Sequence, residues 1–329
     1  MIAIVAYGSP VAGRASWLAD ALGDGFSVTM LDYAADSAQK HLALANVDGV
    51  VTVRWHAGLG DAGNVRLVQV PGVGCDEIEV GTLPANATLC NVRGHGAGTA
   101  EYVVLQLLEW CHGLGAAEAD FRAGSWQRSS RFGAPPHREL CGATVGIIGY
   151  GEIGRAVAER LSPFGVRLLV ANRSRASDET ISGWFGLDQL AEMLAACDFA
   201  VLAIPLVEAT HGLIGEPELN ALGADGVLIN IARGPVVDET ALWNALRNRG
   251  LGGAVLDVWY QYPDEQTPRR RPSRFPFQDL PNVRMTPHIA GWTDGTVARR
   301  WLDIVENCRR LATGRPFLNV VRRAPGHVP

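Results

Sequence analysis

The sequence predicts an α/β protein built on parallel sheets, and three observations carry that prediction. Short apolar runs alternate with amphipathic stretches almost throughout the 329 residues, the pattern of strands joined by crossover helices. Glycine and proline punctuate the runs heavily in the amino-terminal third. Residues 144–172 read as a strand, a glycine-rich turn, a helix and a second strand in unbroken succession. The length suits about two domains.

The elements follow in order. Apolar runs at 2–6, 28–31, 49–53, 67–70 and 88–92 are the strands of a small doubly wound unit. A helix is expected over 99–113. Its apolar Tyr102, Val103, Leu105, Leu107, Leu108 and Trp110 cover most of its circumference, so burial is expected, with another subunit as one candidate cover. Residues 124–139, rich in Arg, Ser and Pro, are expected to cross between domains as a loop. Six further strands are expected at 144–148, 166–171, 199–204, 227–231, 254–258 and 283–286, with helices between the first five. One helix spans 238–249, with Asp238 as its N-cap and Gly250 as its C′ residue. Between the last two strands the charged stretch 264–274 replaces a helix, and 294–313 has the length of a closing helix.

Composition narrows the function classes. A net charge of -5 carries no electrostatic footprint for nucleic acid or an anionic membrane. No apolar run reaches the roughly 18 residues of a membrane span. The apolar start, Met1 to Gly8, lacks a basic n-region and reads as a first buried strand. Cys75, Cys90, Cys111, Cys141, Cys197 and Cys308 are scattered without a CxxC pair. Buried, reduced thiols in a cytoplasmic protein are expected, with no metal site.

The turn Gly149-Tyr150-Gly151-Glu152-Ile153-Gly154 is the first chemical signal. Gly149 permits a tight turn, Gly151 lets backbone approach a pyrophosphate, and Gly154 lets the helix lie close on the strand. Phosphates then sit on the helix N-terminus, where free N–H groups favour anions. This predicts a nicotinamide dinucleotide. At the end of the second strand an NAD site carries Asp or Glu for the ribose 2′-hydroxyl, but here the chain reads Asn172-Arg173-Ser174-Arg175. A guanidinium and a hydroxyl suit a 2′-phosphate, so NADP(H) is expected over NAD(H).

Three segments supply a substrate side. Asn230-Ile231-Ala232-Arg233, Leu256-Asp257-Val258 and Thr286-Pro287-His288 each bring a polar residue to the carboxyl end of an expected strand, where α/β sheets bind ligands. A guanidinium can fix carboxylate and carbonyl oxygens, and an imidazolium can donate a proton as hydride arrives. Taken singly, His288 could be structural, Arg233 ion-paired and Asp257 a turn cap.

Together with Pro71-Gly72-Val73-Gly74-Cys75-Asp76, Thr99-Ala100-Glu101 and residues 149–154, these segments resemble the D-isomer-specific 2-hydroxyacid dehydrogenase family in order and spacing, along nearly the whole chain. The resemblance implies two Rossmann-like, doubly wound parallel-sheet domains with a cleft between them. Residues 1–98 with 292–329 would form the substrate (catalytic) domain. Residues 99–291 would form the dinucleotide-binding domain, including the interdomain helix that joins a homodimer. It implies that the Val73 and Gly74 backbone binds the substrate carboxylate, that Arg233 binds carboxylate and carbonyl, and that His288 is the acid/base. Asp257 would hold the nicotinamide carboxamide, and Ile204, Pro205 and Thr210 would line the adenosine and ribose side. Thr99, Ile231, Ala232, His288 and Gly291 would complete the coenzyme side beside Glu152 and Ile153. The substrate would be a small 2-oxo or 2-hydroxy acid.

Two departures from the family pattern stand out. The family's Glu, which hydrogen-bonds the catalytic His, falls on Tyr262. A phenol can orient an imidazole but brings no negative charge, which leaves the imidazole less basic. Asp264 or Glu265 are the residues that a shifted loop could bring in its place. Formate dehydrogenases of the family also lack the Glu, so a hydride-only dehydrogenase of a small anion is one alternative. The other departure is His95 where many relatives, formate dehydrogenase included, have Asn, which counts against formate. The fold also serves corepressors that sense the nicotinamide pool, so a binding protein with weak catalysis is a second alternative. The basic run 269–274, Arg54 and Arg93 are candidates to hold a second anionic group, although a solvated charged loop is the simpler reading of the run. Trp292 is either pocket wall or core.

Overall fold

The computed structural model describes residues 1–9, 11–59, 62–263 and 267–324. Asp264 and Glu265 lie outside the described residues. The chain divides into two units, Met1–Gly94 with Asp294–Pro329, and His95–Thr293. The division falls immediately ahead of the two helices that begin at Gly96 and Asp294, a few residues from the borders expected at 98/99 and 291/292.

The first unit runs β1 (Ile2–Tyr7), α1 (Ala15–Leu22), β2 (Phe26–Leu31), α2 (Ser37–Leu44), β3 (Gly49–Thr52), β4 (Leu67–Gln69) and β5 (Thr88–Cys90). The second runs α3 (Gly96–His112), α4 (Leu114–Arg122), β6 (Thr144–Ile148), α5 (Glu152–Leu161), β7 (Arg167–Ala171), β8 (Gly183–Phe185), α6 (Leu190–Leu194) and β9 (Phe199–Leu202). It continues through α7 (Glu216–Leu222), β10 (Val227–Asn230), α8 (Glu239–Arg247), β11 (Gly253–Leu256) and β12 (Val283–Met285). The chain then returns to the first unit as α9 (Asp294–Thr313) and β13 (Val320–Arg322).

In the second unit the sheet order is β8-β7-β6-β9-β10-β11-β12, and every pairing is parallel. The order reverses between β6 and β9, which is where such sheets open a crevice. Both faces are covered, so the strands are apolar on both sides. Along β9, Phe199 and Val201 enter one core layer while Ala200 and Leu202 enter the other. The first unit has the order β2-β1-β3-β4-β5-β13, parallel except for the antiparallel edge strand β13. Helix α9 buries Trp301, Ile304, Cys308 and Leu311 against α1 residues Leu18 and Leu22.

Several elements differ from the sequence reading. Helix α3 begins at Gly96 rather than 99, because a side chain distant in sequence supplies its first cap: Glu152 Oε1 accepts the Gly96 N–H at 3.0 Å. Leu105 on α3 is 60% exposed, so the helix is buried on one side rather than all round. Helix α4 and the three-residue edge strands β8 and β13 were not expected. Asp238 caps α8 by accepting the Ala241 N–H. The C′ position, however, belongs to Arg249, whose φ is +60°. Gly250 N–H bonds the Ala245 carbonyl and Arg249 N–H the Leu246 carbonyl, which is the paired helix ending centred one residue earlier than expected. Cys141 is exposed and Cys75 half-buried, unlike the other four cysteines. Among the described residues no helix is long and apolar enough to cross a membrane.

Candidate active site

Strand β6 delivers the chain into the glycine turn at the point where strand order reverses. Gly149 has φ +95°, and a Cβ there would lie 2.6 Å from the Ala203 carbonyl oxygen. A Cβ on Gly154 would lie 2.1 Å from the Gly149 carbonyl oxygen, so any side chain would push α5 off the strand. Gly151 is the opposite case, with no heavy atom within 4 Å of the place a Cβ would take. It is also the N-cap of α5, with no side-chain cap on the helix. An open approach to uncapped N–H groups is what a pyrophosphate requires. The turn therefore fits a dinucleotide, and Ile153 within it is part-buried against the core.

At the end of β7, Asn172 is tied to backbone on both sides. Its Oδ1 accepts the Tyr150 N–H at 3.4 Å and its Nδ2 donates to the Ser174 carbonyl at 2.8 Å. Arg173, Ser174 and Arg175 are exposed beyond it. Sequence reasoning missed a second tie. Tyr150, 3% exposed, packs edge-on against Trp184 with centroids 5.0 Å apart and donates its hydroxyl to Asp178. Hydrogen bonds from Thr180 and Tyr150 hold the Asp178 carboxyl below its usual range. This carboxylate lies in the loop after β7 but is engaged by its own neighbours. Thr210, 4% exposed, staples the 205–210 turn by accepting the Val207 N–H and donating to the Pro205 carbonyl. Ile204, Ile231 and Ala232 are each 7% exposed.

The carboxyl ends of β10 and β11 and the loop after β12 carry Arg233, Asp257 and His288. Asn230 braces the first, accepting the Ala232 N–H and donating to the Arg233 carbonyl. Arg233 Nη1 donates to the Ala232 carbonyl at 2.7 Å. Asp257 is 1% exposed and accepts three hydrogen bonds, from the Thr286 hydroxyl (2.6 Å), the Ile289 N–H (2.8 Å) and the Ala290 N–H (2.8 Å). Between those contacts lies His288 with φ +60°, a backbone conformation that a non-glycine residue keeps only when its surroundings impose it. Tyr102 on α3 adds a contact from its hydroxyl to Thr286 Oγ1 at 2.6 Å, and burial pushes that phenol up to about 12. Tyr262 Oη lies 3.0 Å from His288 Nδ1 and accepts the Trp259 N–H at 3.2 Å. A Cβ on Gly291 would come within 3.4 Å of Thr99 Oγ1 and the His95 ring, so these three meet closely. Trp292 is 59% exposed and is not core. In the basic run, Arg274 pairs with Glu239 and Arg270 donates to Gln261.

In the first unit, the 71–76 loop follows the carboxyl end of β4. Asn91 Nδ2 donates to the Val73 carbonyl at 2.7 Å, and Val73 is 42% exposed beside Gly74. Arg54 follows β3; it pairs with Glu77 and lies 5.0 Å over the Tyr33 ring. The Tyr33 ring in turn fills the space above Gly8. Burial raises the Tyr33 phenol to about 12. The Arg93 N–H is held by Asp303.

A seven-stranded parallel sheet with a dinucleotide-type turn at its reversal point, and Arg, Asp and His at its strand ends, defines a nicotinamide-dinucleotide oxidoreductase class. The model for the D-isomer specific 2-hydroxyacid dehydrogenase, NAD binding domain, matches residues 104–290, and the chain belongs to that family. It is 38% identical over 202 residues to a glyoxylate reductase of Thermococcus gammatolerans, covering 60% of this chain and 58% of that protein. It is 30% identical to a glycerate dehydrogenase of Methylorubrum extorquens, covering 77% and 78%. Among solved structures, an NADPH-dependent glyoxylate/hydroxypyruvate reductase of Sinorhizobium meliloti superposes with a TM-score of 0.82 at 28% identity, covering 99% of both chains.

Proposed function

We propose that this protein is an NADP(H)-preferring reductase that converts a small 2-oxo acid to its D-2-hydroxy acid, and catalyses the reverse reaction. The observation that carries this is the arrangement at the ends of β10, β11 and β12. Asp257 imposes the conformation of His288, Tyr262 contacts the imidazole Nδ1, and Arg233 leaves the neighbouring strand. When bound, the nicotinamide coenzyme supplies the hydride. Residues 149–154 would hold its pyrophosphate, with Thr99, Ile204, Pro205, Thr210, Ile231, Ala232 and Gly291 along it. Arg233 binds the substrate carboxylate and polarises its carbonyl. His288 gives the carbonyl oxygen its proton in reduction and takes it back in oxidation. Tyr262 positions His288 in the role of the family Glu.

The coenzyme preference rests on Asn172. Its amide is engaged by backbone on both sides, and exposed Arg173, Ser174 and Arg175 follow it. No carboxylate stands at the end of β7 to repel a 2′-phosphate. The Sinorhizobium relative is described as NADPH-dependent, which supports the same reading. A homodimer is supported by the apolar side chains that the second unit leaves exposed, including Leu105, Leu114, Phe121, Trp126 and Phe132. A cytoplasmic location fits such an enzyme.

The test is nicotinamide absorbance during a screen of glyoxylate, hydroxypyruvate, larger 2-oxo acids, phosphite and formate with each coenzyme. Turnover of 2-oxo acids with a lower KM for NADPH than NADH is expected. Arg233→Ala should lower kcat/KM by about a thousandfold or more while coenzyme affinity stays within about threefold. Turnover of phosphite or formate alone, or tight coenzyme binding without turnover, would refute the reading in favour of the hydride-only enzyme or the sensor respectively.

A further inference from the structure

The first unit holds a second concave site, away from the 71–76 loop. A cavity of about 380 Å³ is lined by Arg66, Arg310, Arg315 and Arg323. Leu311, Phe317 and Val320 supply an apolar wall, and Asn86 and Thr88 supply neutral polar groups. Arg66 immediately precedes β4 and Thr88 opens β5. The cavity therefore sits at the amino ends of these strands, whereas the 71–76 loop leaves the carboxyl end of β4.

Charge at this cavity is unbalanced. Arg66 pairs with Asp48 at 2.7 Å. Arg310 and Arg315 converge on one oxygen, Glu306 Oε1, at 2.7 and 3.1 Å. The Arg310 hydrogen bond keeps that carboxyl below its usual range. Arg323 is exposed and makes no ion pair among the described residues. Four guanidiniums thus face two carboxylates, and among the described lining residues there is no carboxylate at all. Among the described residues two positive charges remain in excess. Guanidiniums present planar forks of donors that match phosphate or paired carboxylate oxygens. Thr88 Oγ1 accepts the Ala324 N–H. The volume lies within the roughly 300–1,000 Å³ of small-molecule sites.

We infer that this cavity binds a small organic dianion with an apolar body, of the phosphate-monoester class, independently of the 2-oxo acid site. The excess charge takes the two negative charges. Leu311, Phe317 and Val320 take the hydrocarbon, which sets such a ligand apart from inorganic phosphate. Neither the coenzyme turn nor Arg233 takes part.

Calorimetric titration of the full chain with phenyl phosphate tests this, with inorganic phosphate and benzyl alcohol as comparison arms. Saturable binding of phenyl phosphate is expected, at least about tenfold tighter than either comparison. Arg323→Ala, which breaks no ion pair among the described residues, should weaken it about tenfold, and Arg315→Ala together with Arg323→Ala further still. The melting temperature of the Arg323→Ala chain should stay within about 2 °C, with reductase turnover unchanged. Arg233→Ala and Arg173→Ala, which alter the other candidate anion sites, should leave the titration as it is. Undiminished binding by the Arg315→Ala/Arg323→Ala chain, loss of binding in Arg233→Ala or Arg173→Ala, or inorganic phosphate binding equally well overturns the inference.

Discussion

The glycine turn after β6 and the His288 loop after β12 occupy equivalent places at strand ends of one sheet, yet they are held in opposite ways. The turn is shaped by what its residues lack. Gly149 and Gly154 have no side chain because carbonyl oxygens stand where a Cβ would go. The His288 loop is shaped by what a distant residue brings, since Asp257 lies about thirty residues earlier and accepts three of its hydrogen bonds. A conformation imposed by missing atoms is written in neighbouring residues. A conformation imposed by a buried carboxylate is written nowhere near the loop it controls.

Substitutions can break this comparison, and the largest effect is expected at Asp257. Asp257→Ala leaves the Thr286 hydroxyl and two N–H groups without their acceptor in a buried setting, at a cost of about 4 kcal/mol. Urea unfolding should register that loss, with turnover falling in parallel. A loss below about 1 kcal/mol would mean that the loop holds itself. Next comes Gly154→Ala, whose new Cβ falls 2.1 Å from a backbone oxygen. About 3 kcal/mol of stability should be lost, and coenzyme binding with it, by fluorescence titration. Gly151→Ala sharpens the contrast: stability should move by less than about 1 kcal/mol, while coenzyme affinity drops at least about tenfold. Equal stability losses in the two alanine variants would contradict the assigned roles.

Tyr262 should show a smaller effect on stability than on rate. At 41% exposed, its hydroxyl is replaceable by water, so Tyr262→Phe should cost about 1 kcal/mol or less. Its kcat should nevertheless fall about tenfold as the imidazole loses its Nδ1 partner. Tyr262→Glu adds a negative charge that favours the imidazolium, and reductase activity should then extend to higher pH. An unaltered pH profile in Tyr262→Glu would argue against Tyr262 as the residue that positions His288.

The smallest effect concerns the Tyr150–Asp178 tie. The Asp178 carboxyl lies below its ordinary value of 3.8 through hydrogen bonds from Thr180 and Tyr150. A lowered folded value makes its contribution fully present above 3.8 and lost as pH falls through the lower folded value. The melting temperatures of wild type and Asp178→Ala should therefore differ near neutral pH and converge on acidification below 3.8. A difference that persists in acid would assign the tie to packing of Tyr150 on Trp184 instead.

Much of this was legible in the residues. The strand–turn–helix–strand run at 144–172 follows from local rules of glycine placement and apolar alternation, and so do most of the parallel strands and the Asp238 cap. Tyr262 was legible as the position on which the family's Glu falls, and its contact with His288 Nδ1 is present. What escaped was non-local. Helix α3 starts early because Glu152 caps it from 56 residues away. The engagement of Asp178 with Tyr150 depends on the loop after β7 folding back over the glycine turn. Arg274 turns to Glu239 on α8, which no charge pattern in the run 269–274 announces.

By itself, then, the amino-acid sequence determined the parallel α/β architecture, the dinucleotide-type turn and which residue types end each strand, because these depend on periodicity and on sterics within a few residues. Only the tertiary structure decided which carboxylates are already engaged, what holds His288 in a left-handed conformation, and that four arginines, from the residue ahead of β4, from α9 and from the chain after it, line one cavity. Those outcomes depend on hydrogen bonds and charges brought together across tens to hundreds of residues, where no local rule reaches.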